Sequence, residues 1–480
     1  DADGWDVMGS AYEQYTATHL KRQRGQFFTN RLVVNFMVDL LDPDMHVKAL
    51  DPAGGSGGFV TSILRFLRHK IASSSASDAA KEQQLGNLKQ HLFLVEASSR
   101  LVKIAKTAMI LNGDGHSGMT QGNSLGPYEE MDDWIKARCT KGQPGLILTN
   151  PPFAGVGQEG AISDPQVLDQ FITAKPWEDT ASGLQPVPDS TPRPSPPELL
   201  FFERCLDWLA PGGLLGIVLP KSFLDTATFR ASREYLFRNA KLLATVNLHK
   251  NTFQPDTGVR TCLVFLRKLK ADEVPSDDYG IFMAVSRKIG RDSEGQPIFV
   301  PDSDGNPTAV IDHDLDEILD AYKAFAGGTL TDSEYTFAVK RTALGSTLNI
   351  NPQFHLPHLN ESVRRVQAID QVAHWSVTPL GQLDNAIKIF KGPRLRTENV
   401  LVDGPASGSA VEAYFTPSAL LQDRRDSVKW LDLAKATQSQ KRAFDAVRVK
   451  KGDLLITRSG SIGRVAYVTS KLDQAIVSDD

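Results

Sequence analysis

The sequence has 480 residues, of which 41% are hydrophobic and 23% are charged, with a formal net charge of −4. This length suits about two or three domains with a substantial core, and the composition is that of a globular protein. The sequence contains no apolar run long enough to span a membrane, and its first residues lack the basic and apolar regions of a signal peptide. We therefore expect a cytoplasmic protein without a membrane partner.

Three cysteines, Cys139, Cys205 and Cys262, lie far apart and show no metal-ligand spacing. We interpret them as reduced thiols without a catalytic role, and the sequence predicts no metal site. The net charge gives no overall sign of nucleic-acid binding, but phosphate contact needs only a local basic face.

Residues 9–20 predict a helix, and the basic run 21–24 follows it. That run can be a solvated helix end, where cations are favoured, or a phosphate contact. Thr29 or Asn30 is a plausible N-cap for the apolar-periodic helix that follows, over residues 33–41. A helix N-terminus beside a sheet edge can receive a carboxylate or a phosphate.

A strand predicted at residues 47–50 runs into a glycine loop, residues 51–58, with four glycines in five positions. Glycines let the backbone pass close to a ligand, and a helix should begin near Gly58. The spacing matches neither the six-residue dinucleotide fingerprint nor a Walker A loop. Asp51 can accept from an ammonium or hydroxyl group, which favours a zwitterionic nucleoside ligand over a pyrophosphate.

Residues 72–84 look like a surface connection to a second strand, residues 91–95, which ends at Glu96. An acidic residue at this place usually holds a ribose diol in nucleotide-binding α/β folds, although it can also be a solvated strand-end glutamate. A helix is predicted next, over residues 101–111. The alternation of strands and helices predicts a doubly wound, mostly parallel sheet.

The apolar strand 145–149 leads into an Asn-Pro-Pro-Phe turn, residues 150–153. The two prolines end the strand and stiffen the turn, so an amide and an aromatic ring are held together where open α/β sheets bind ligands. An amide beside an aromatic face suits a planar group with an exocyclic amine. Taken alone, the motif is equally consistent with an ordinary strand-end turn.

The segment 154–195 is rich in Gly, Pro, Ser and Asp, and a long irregular segment after a candidate site is typically functional or mobile. Ser195 and Glu198 then predict a capping box for a helix that ends near Leu209. Further strands are predicted at residues 214–219, 242–248 and 261–266, and the alternation fades after about residue 270.

Residues 375–381 look like the start of a new domain. Between residues 421 and 465, eleven Lys and Arg stand against five Asp and Glu, which makes this the best candidate basic surface. The same charges can also be scattered over a solvated surface. We predict DNA contacts for the basic side chains Arg424, Arg425, Lys429, Lys441, Arg442, Arg458 and Arg464.

Together these motifs resemble the N6-adenine DNA methyltransferases of the type I restriction–modification group, the modification subunit in particular, over about residues 9–345. The resemblance rests on the order and spacing of residues 9–13, Gln26-Phe27-Phe28-Thr29, Asp51-Pro52-Ala53-Gly54-Gly55-Ser56-Gly57-Gly58-Phe59 and Asn150-Pro151-Pro152-Phe153. It implies an α/β fold with a Rossmann-like sheet that binds S-adenosylmethionine. Residues 351–480 resemble a target-recognition domain of the specificity subunits, on the patterns at 451–455 and 458–464.

The resemblance also implies site residues. Thr29 and the glycine loop would hold the methionine end of the cofactor, and Glu96 its ribose. Asn123 stands where an acidic residue is often found near the cofactor adenine, and Gly54 replaces a frequent Cys, a change expected to be harmless. The cofactor set is Gln26, Phe27, Phe28, Thr29, Asp51, Pro52, Ala53, Gly54, Gly55, Ser56, Gly57, Glu96, Asn123, Ser124 and Asn150, and the catalytic set is Asn150, Pro151, Pro152 and Phe153.

The implied chemistry needs no covalent intermediate. The target adenine would be flipped out of the duplex, because its amine is unreachable when the base is stacked and paired. Phe153 would stack on the base, while the Asn150 side-chain carbonyl and the Pro151 backbone carbonyl accept from the amine. Positioning and charge stabilisation would supply most of the rate.

We expect three segments: a helical segment at 1–45, the methyltransferase domain at 46–345, and an α/β target-recognition domain at 346–480 that is incomplete at its end. Expected partners are double-stranded DNA and a restriction endonuclease, a specificity subunit or a second copy, in a restriction–modification or related phage-defence system. Two alternatives stay open. The protein can methylate protein glutamine or RNA bases, or it can be a catalytically silent DNA-specificity scaffold.

Overall fold

The computed structural model describes residues 29–88, 90–113, 118–154, 160–181, 183–369, 378, 392–393, 395–404, 410–417, 419, 428–457 and 464–478. The chain divides into two compact units, Asp1–Ala368 and Ile369–Asp480. The first unit extends beyond the expected boundary at residue 345, because the next residues contact its sheet and helices. The backbone carbonyl of Ile350, for example, accepts a hydrogen bond from buried Thr245. The predicted helix 9–20, the basic run 21–24 and most of residues 375–381 lie outside the described residues.

The strands of the first unit are β1 Ala49–Asp51, β2 Leu92–Glu96, β3 Met119–Gln121, β4 Leu146–Thr149, β5 Trp177–Thr180, β6 Gly183–Pro186, β7 Leu214–Pro220, β8 Ala240–Asn247, β9 Thr261–Lys268, β10 Gly280–Val285, β11 Phe299–Pro301, β12 Pro307–Ile311 and β13 Thr336–Lys340. Its helices are α1 Arg31–Leu41, α2 Gly58–Ala72, α3 Asp78–Leu88, α4 Ser99–Leu111, α5 Asp133–Arg138, α6 Pro165–Leu168, α7 Pro197–Trp208, α8 Arg230–Asn239 and α9 Leu315–Ala326. Helix α10, Pro357–Ile369, ends at the junction of the two units.

Nine strands form one sheet in the order β13-β10-β8-β9-β7-β4-β1-β2-β3. All neighbours from β3 to β7 are parallel, whereas β9 runs antiparallel to both β7 and β8. The predicted α/β fold is confirmed. The sheet also extends past residue 270, where the sequence pattern fades, because β10 pairs with β8 and β13 pairs with β10.

Alternate residues of the strands pack on opposite faces of this sheet. Leu92 and Leu94 belong to the buried cluster that includes α1, α2, α4 and α9 residues, whereas Phe93 and Val95 belong to the cluster with α5, α7 and α8. Because helices cover both faces of the sheet, its strands are buried and mainly apolar, and polar groups lie at the strand ends. In such a sheet the ligand site lies at the carboxyl ends of the strands.

The surface connection predicted at residues 72–84 overlaps helix α3, in which only Leu88 is buried. One local prediction is wrong. The predicted capping box at α7 does not form, since the N-cap is Pro196 without a side-chain cap. The Ser195 hydroxyl donates instead to the carbonyl of Arg193 over 2.8 Å.

The elements in the described part of the second unit are β14 Leu401–Val402, β15 Val411–Phe415, β16 Lys429–Asp432, α11 Gln438–Ala446, β17 Leu454–Ile456, β18 Val465–Tyr467 and β19 Ile476–Val477. They form a four-stranded sheet in the order β14-β16-β15-β19 and a separate hairpin of β17 and β18. A capping box of Thr437 and Gln440 begins helix α11. Buried Leu431, Phe444 and Ile476 belong to the apolar core of this unit.

Among the helices of the described residues, none has the length and apolar character required to cross a bilayer. The same residues contain no group of three or more His, Cys, Asp or Glu side chains that could hold a metal ion. All three cysteines are unpaired thiols inside the first unit, and burial raises the pKa of each.

Candidate active site

A cleft lies at the carboxyl ends of the central strands. Strand β1 lies between β2 and β4, so the glycine loop after β1 is next to the Asn-Pro-Pro-Phe turn after β4. Predicted and unpredicted residues meet in this cleft, which is lined by Thr29, Arg31, Val34, Asp51, Ala53, Gly54, Gly55, Ser56, Gly58, Phe59 and Asn150.

The glycine loop takes backbone conformations that other residues adopt rarely. Gly55 and Gly57 have φ angles of +52° and +89°, and Gly57 is the N-cap of α2. A side chain added at Gly55 would meet nothing within 4 Å, so the loop presents open backbone there. This surface allows a ligand to approach the main chain closely.

The side chain of Leu94 on β2 leaves no room for a Cβ atom at Gly54. A Cβ atom at this position would lie 2.1 Å from Cγ of Leu94, which is fully buried. The Gly54 N–H also donates to the carbonyl of Val95 over 3.1 Å. Gly54, which stands where Cys is frequent in the family that the sequence resembles, therefore lies directly against the large side chain of Leu94.

Glu96 is buried rather than solvated, with 6% of its surface exposed. Its Oε2 accepts the N–H of Gly55 over 3.1 Å, and its Oε1 accepts the N–H of Ser98 over 2.8 Å. The carboxylate therefore connects the glycine loop to the end of β2. Each carboxylate oxygen can accept more than one hydrogen bond, so a ribose hydroxyl can still donate to it.

Asp51 lines the cleft with only 2% of its surface exposed. Burial raises the pKa of its carboxyl to about 7. Its Oδ1 accepts the N–H of Ala53 over 3.1 Å. A buried carboxylate of this kind favours a cationic partner, because a nearby positive charge restores the ionised form.

The side-chain amide of Asn150 is hydrogen-bonded to Thr29. Its Nδ2 donates to Oγ1 of Thr29 over 3.0 Å, while its Oδ1 is buried and has no hydrogen-bond partner among the described residues. Thr29 is placed by α1, whose N-cap is Asn30, with Oδ1 accepting the N–H of Leu32 over 3.0 Å. A buried acceptor without a donor is costly, and it is suited to an incoming N–H group.

The end of the Asn-Pro-Pro-Phe turn is also held by the protein. The N–H of Ala154 donates to Oε2 of Glu198 over 2.9 Å. Phe153 is 8% exposed, and its ring belongs to the core cluster on the α1 face of the sheet. The predicted stacking of Phe153 on a base stays a prediction.

Asn123 and Ser124 lie after β3 at the same edge of the sheet. Ser124 is buried, and its hydroxyl donates to the carbonyl of Pro52 over 2.6 Å. Asn123 is exposed, and its Oδ1 accepts the N–H of Leu125 over 3.0 Å, so it closes its own turn. Ser124 supports the glycine loop, and the adenine contact of Asn123 stays a prediction.

The predicted DNA contacts in the described part of the second unit are Lys429, Lys441, Arg442 and Arg464, and all four are exposed. One nearby cation is already paired, since Arg448 forms ion pairs with Glu412 and Asp445. Several predicted site residues lie outside the described residues: Gln26, Phe27, Phe28, Arg424, Arg425 and Arg458.

Sequence reasoning missed two polar residues at the site. Arg31 lines the cleft, and Glu198 contacts the turn. Arg31 follows the N-cap of α1 and could have been found from the predicted start of that helix. Glu198 had no such signal, because its contact is with a residue 44 positions away.

The cleft fits a zwitterionic nucleoside beside an amine. Asp51 has a carboxylate of the kind that pairs with an ammonium group, and Glu96 has oxygens that can accept from a diol; both roles stay predictions. The Oδ1 of Asn150, which has no hydrogen-bond partner among the described residues, can accept from an amine. These groups match the polar parts of S-adenosylmethionine and the amine of a methyl acceptor.

The family described as N-6 DNA Methylase matches the chain over residues 3–341. The type I restriction enzyme EcoEI methylase subunit of Escherichia coli is 24% identical over 265 residues, covering 55% of this chain and 46% of the relative. The type II restriction enzyme and methyltransferase RM.BcgI of Heyndrickxia coagulans is 24% identical over 268 residues, covering 55% and 34%. The chain therefore spans less than half the length of these relatives.

Among solved structures, a modification subunit of a putative type I restriction enzyme from Vibrio vulnificus is 20% identical, with a TM-score of 0.49. The match covers 74% of this chain and 64% of that protein. The family match covers more than half of the 480 residues. The chain therefore belongs to the N-6 DNA Methylase family.

Proposed function

We propose that the protein is a DNA methyltransferase that uses S-adenosylmethionine to methylate N6 of adenine at specific sites in double-stranded DNA. The observation that carries this proposal is the buried Oδ1 of Asn150 beside the glycine-loop cleft, which has no hydrogen-bond partner in the part of the chain that the structure describes. In a member of this family, an acceptor at this position suits the exocyclic amine of a flipped adenine.

The chain's own residues divide the work between binding and orientation. Asp51 attracts the ammonium of the methionine end, and Glu96 accepts from the ribose. When bound, S-adenosylmethionine supplies an electrophilic methyl group. Because Nδ2 of Asn150 donates to Thr29, the amide oxygen is the side-chain atom left to accept from the amine. Asn150 then accepts an amine N–H and directs the nitrogen lone pair, a contribution of positioning.

The second unit supports DNA as the substrate. Its exposed basic residues Lys429, Lys441, Arg442 and Arg464 suit phosphate contacts, which position a protein on DNA without reading its sequence. Relatives include methylase subunits of type I restriction enzymes and a combined restriction enzyme and methyltransferase. We therefore infer a role in restriction–modification or related phage defence, with a nuclease, a specificity subunit or a second copy as partner.

The test is methylome sequencing of cells that express the protein, with the Asn150→Ala variant as the control. We expect N6-methyladenine at one recurrent sequence with the wild-type protein and none with the variant. A parallel incubation with labelled methyl donor and duplex DNA, RNA or protein identifies the acceptor class. Label in RNA or protein but not in DNA would replace the proposal, and cofactor binding without transfer to any acceptor would favour a silent scaffold.

A further inference from the structure

The Asn-Pro-Pro-Phe turn is fastened at both ends by side chains from other elements. Thr29, before α1, accepts from Asn150 at the start of the turn, and Glu198, in the first turn of α7, accepts from Ala154 just after it. We propose that Glu198 is a positioning residue for methyl transfer, an inference that rests on the proposed function. Glu198 holds the turn so that Asn150 and Phe153 meet the target base.

The contact between Glu198 and Ala154 replaces the expected helix cap. In a capping box, Glu198 would accept from the backbone N–H of Ser195. That N–H instead donates to the carbonyl of Ile162 over 3.0 Å, and the Ser195 carbonyl accepts from Ile162 over 2.9 Å. The carboxylate is thus available for the turn 44 residues earlier in the chain.

The burial of Glu198 gives the contact its strength. Only 5% of the residue is exposed, and burial raises the pKa of its carboxyl. Burying a carboxylate is unfavourable unless it is hydrogen-bonded, and a hydrogen bond from a backbone N–H to a carboxylate is among the stronger kinds. The N–H of Ala154 is a hydrogen-bond donor that offsets part of this cost.

The composition of the turn explains why this single N–H matters. Pro151 and Pro152 have no backbone donor, so neither can tie the turn to the rest of the protein through an N–H group. Ala154 is the third residue after Pro151 and supplies a donor directly after Phe153. Without Glu198, the far end of the turn loses this anchor, and displacement of a reacting group by about 1 Å can cost about 100-fold in rate.

Glu203 provides a matched control on the same helix. It is equally buried, at 6% exposed, and accepts the N–H groups of Ile172 and Thr173 over 2.8 Å each, together with the Thr173 hydroxyl. Its contacts hold the segment after the turn rather than the turn itself. Loss of Glu203 therefore reports the general effect of removing a buried carboxylate from α7.

The experiment compares Glu198→Ala, Glu198→Gln and Glu203→Ala with the wild-type chain. The readouts are the S-adenosylmethionine dissociation constant by calorimetry and the single-turnover rate of methyl transfer to unmethylated phage DNA. We expect Glu198→Ala to slow transfer about 10- to 100-fold with cofactor affinity within about twofold. Glu198→Gln should recover most of the rate because its amide oxygen still accepts from Ala154, and Glu203→Ala should keep the rate within about threefold while lowering the melting temperature.

Hydrogen exchange of the peptide that contains Ala154 separates this inference from the proposed function. Exchange there should accelerate in Glu198→Ala and stay at the wild-type rate in Glu203→Ala. Unchanged exchange in Glu198→Ala would overturn the inference, as would a wild-type transfer rate in that variant or an equal loss of rate in Glu203→Ala. Absence of methyl transfer by the wild-type chain would instead overturn the proposed function, and the exchange result would still decide whether Glu198 holds the turn.

Discussion

The backbone N–H of Gly55 donates to Oε2 of Glu96 over 3.1 Å, so a residue at the end of β2 fixes the shape of the loop that follows β1. The other oxygen of Glu96 accepts the N–H of Ser98 at the start of the α4 region. One buried carboxylate thus connects three segments around the cleft. Removal of the Glu96 carboxylate should therefore change both the shape of the glycine loop and the binding of a ligand in the cleft.

The first prediction concerns Glu96. Glu96→Ala leaves two backbone donors without their acceptor, so we expect a lower melting temperature, with a loss of about 1–3 kcal/mol in the free energy of unfolding. Glu96→Gln keeps one acceptor oxygen and should lose less stability. Both variants should bind S-adenosylmethionine at least about tenfold more weakly by calorimetry, since each loses an acceptor for the ribose. Wild-type affinity in both variants would exclude Glu96 from the cofactor site.

The second prediction is a coupling between Gly54 and Leu94. Gly54→Ala places a Cβ against the buried Leu94 side chain and should lower the urea midpoint of unfolding, because overpacking in a dense core is destabilising by about 1–3 kcal/mol. Leu94→Ala should cost about 2–5 kcal/mol through the cavity that it leaves. In the double variant the added methyl enters that cavity, so the two losses should not add. Additive losses would show that the two side chains do not share this space.

Parts of the fold were predictable because their signals are local. Strands β1 and β2 are buried runs that end at Asp51 and Glu96, and the buried strand β4 is followed directly by Asn150. The position of these three residues at one edge follows from a parallel sheet. That Asp51 and Asn150 line one cleft, with Glu96 bonded to the Gly55 N–H beside it, could therefore be predicted from the order of the motifs.

Other parts depend on contacts that the sequence does not mark. Strand β13 joins the sheet by pairing with β10, although about 50 residues separate the two strands. The segment between them is rich in polar residues, so the sequence pattern does not predict that the two strands pair. Ser195 and Glu198 matched a capping box, yet each is engaged by a distant residue. Local patterns identify which groups are available, whereas tertiary packing selects their partners.

The third prediction concerns pH and Asp51. Burial raises the pKa of this carboxyl to about 7 in the folded protein, so between about pH 4 and pH 7 the folded state binds more protons than the unfolded state. The contribution of Asp51 to stability therefore falls as pH rises through this range. Asp51→Asn should raise the melting temperature of the ligand-free protein at pH 8 and change it little at pH 4.

The same variant should lose cofactor affinity, because the neutral amide no longer attracts an ammonium group. For the wild-type protein, affinity for S-adenosylmethionine should weaken as pH falls from 8 to 6, since Asp51 becomes protonated. Calorimetry at both pH values measures this change, with Asp51→Asn as the control that lacks the titrating carboxyl. Equal wild-type affinity at the two pH values would contradict a contact between Asp51 and the ammonium.

The last prediction separates orientation of the Asn150 amide from the presence of its oxygen. Thr29→Val keeps the shape of residue 29 but removes the Oγ1 acceptor. The Asn150 amide then loses its 3.0 Å hydrogen bond to residue 29. We expect single-turnover methyl transfer to fall about tenfold, as for other lost positioning contacts, whereas Asn150→Ala should abolish transfer and leave cofactor binding largely intact. If Thr29→Val transferred methyl groups at the wild-type rate, the amide would be oriented by the bound base alone, and the hydrogen bond to Thr29 would serve only the stability of the turn.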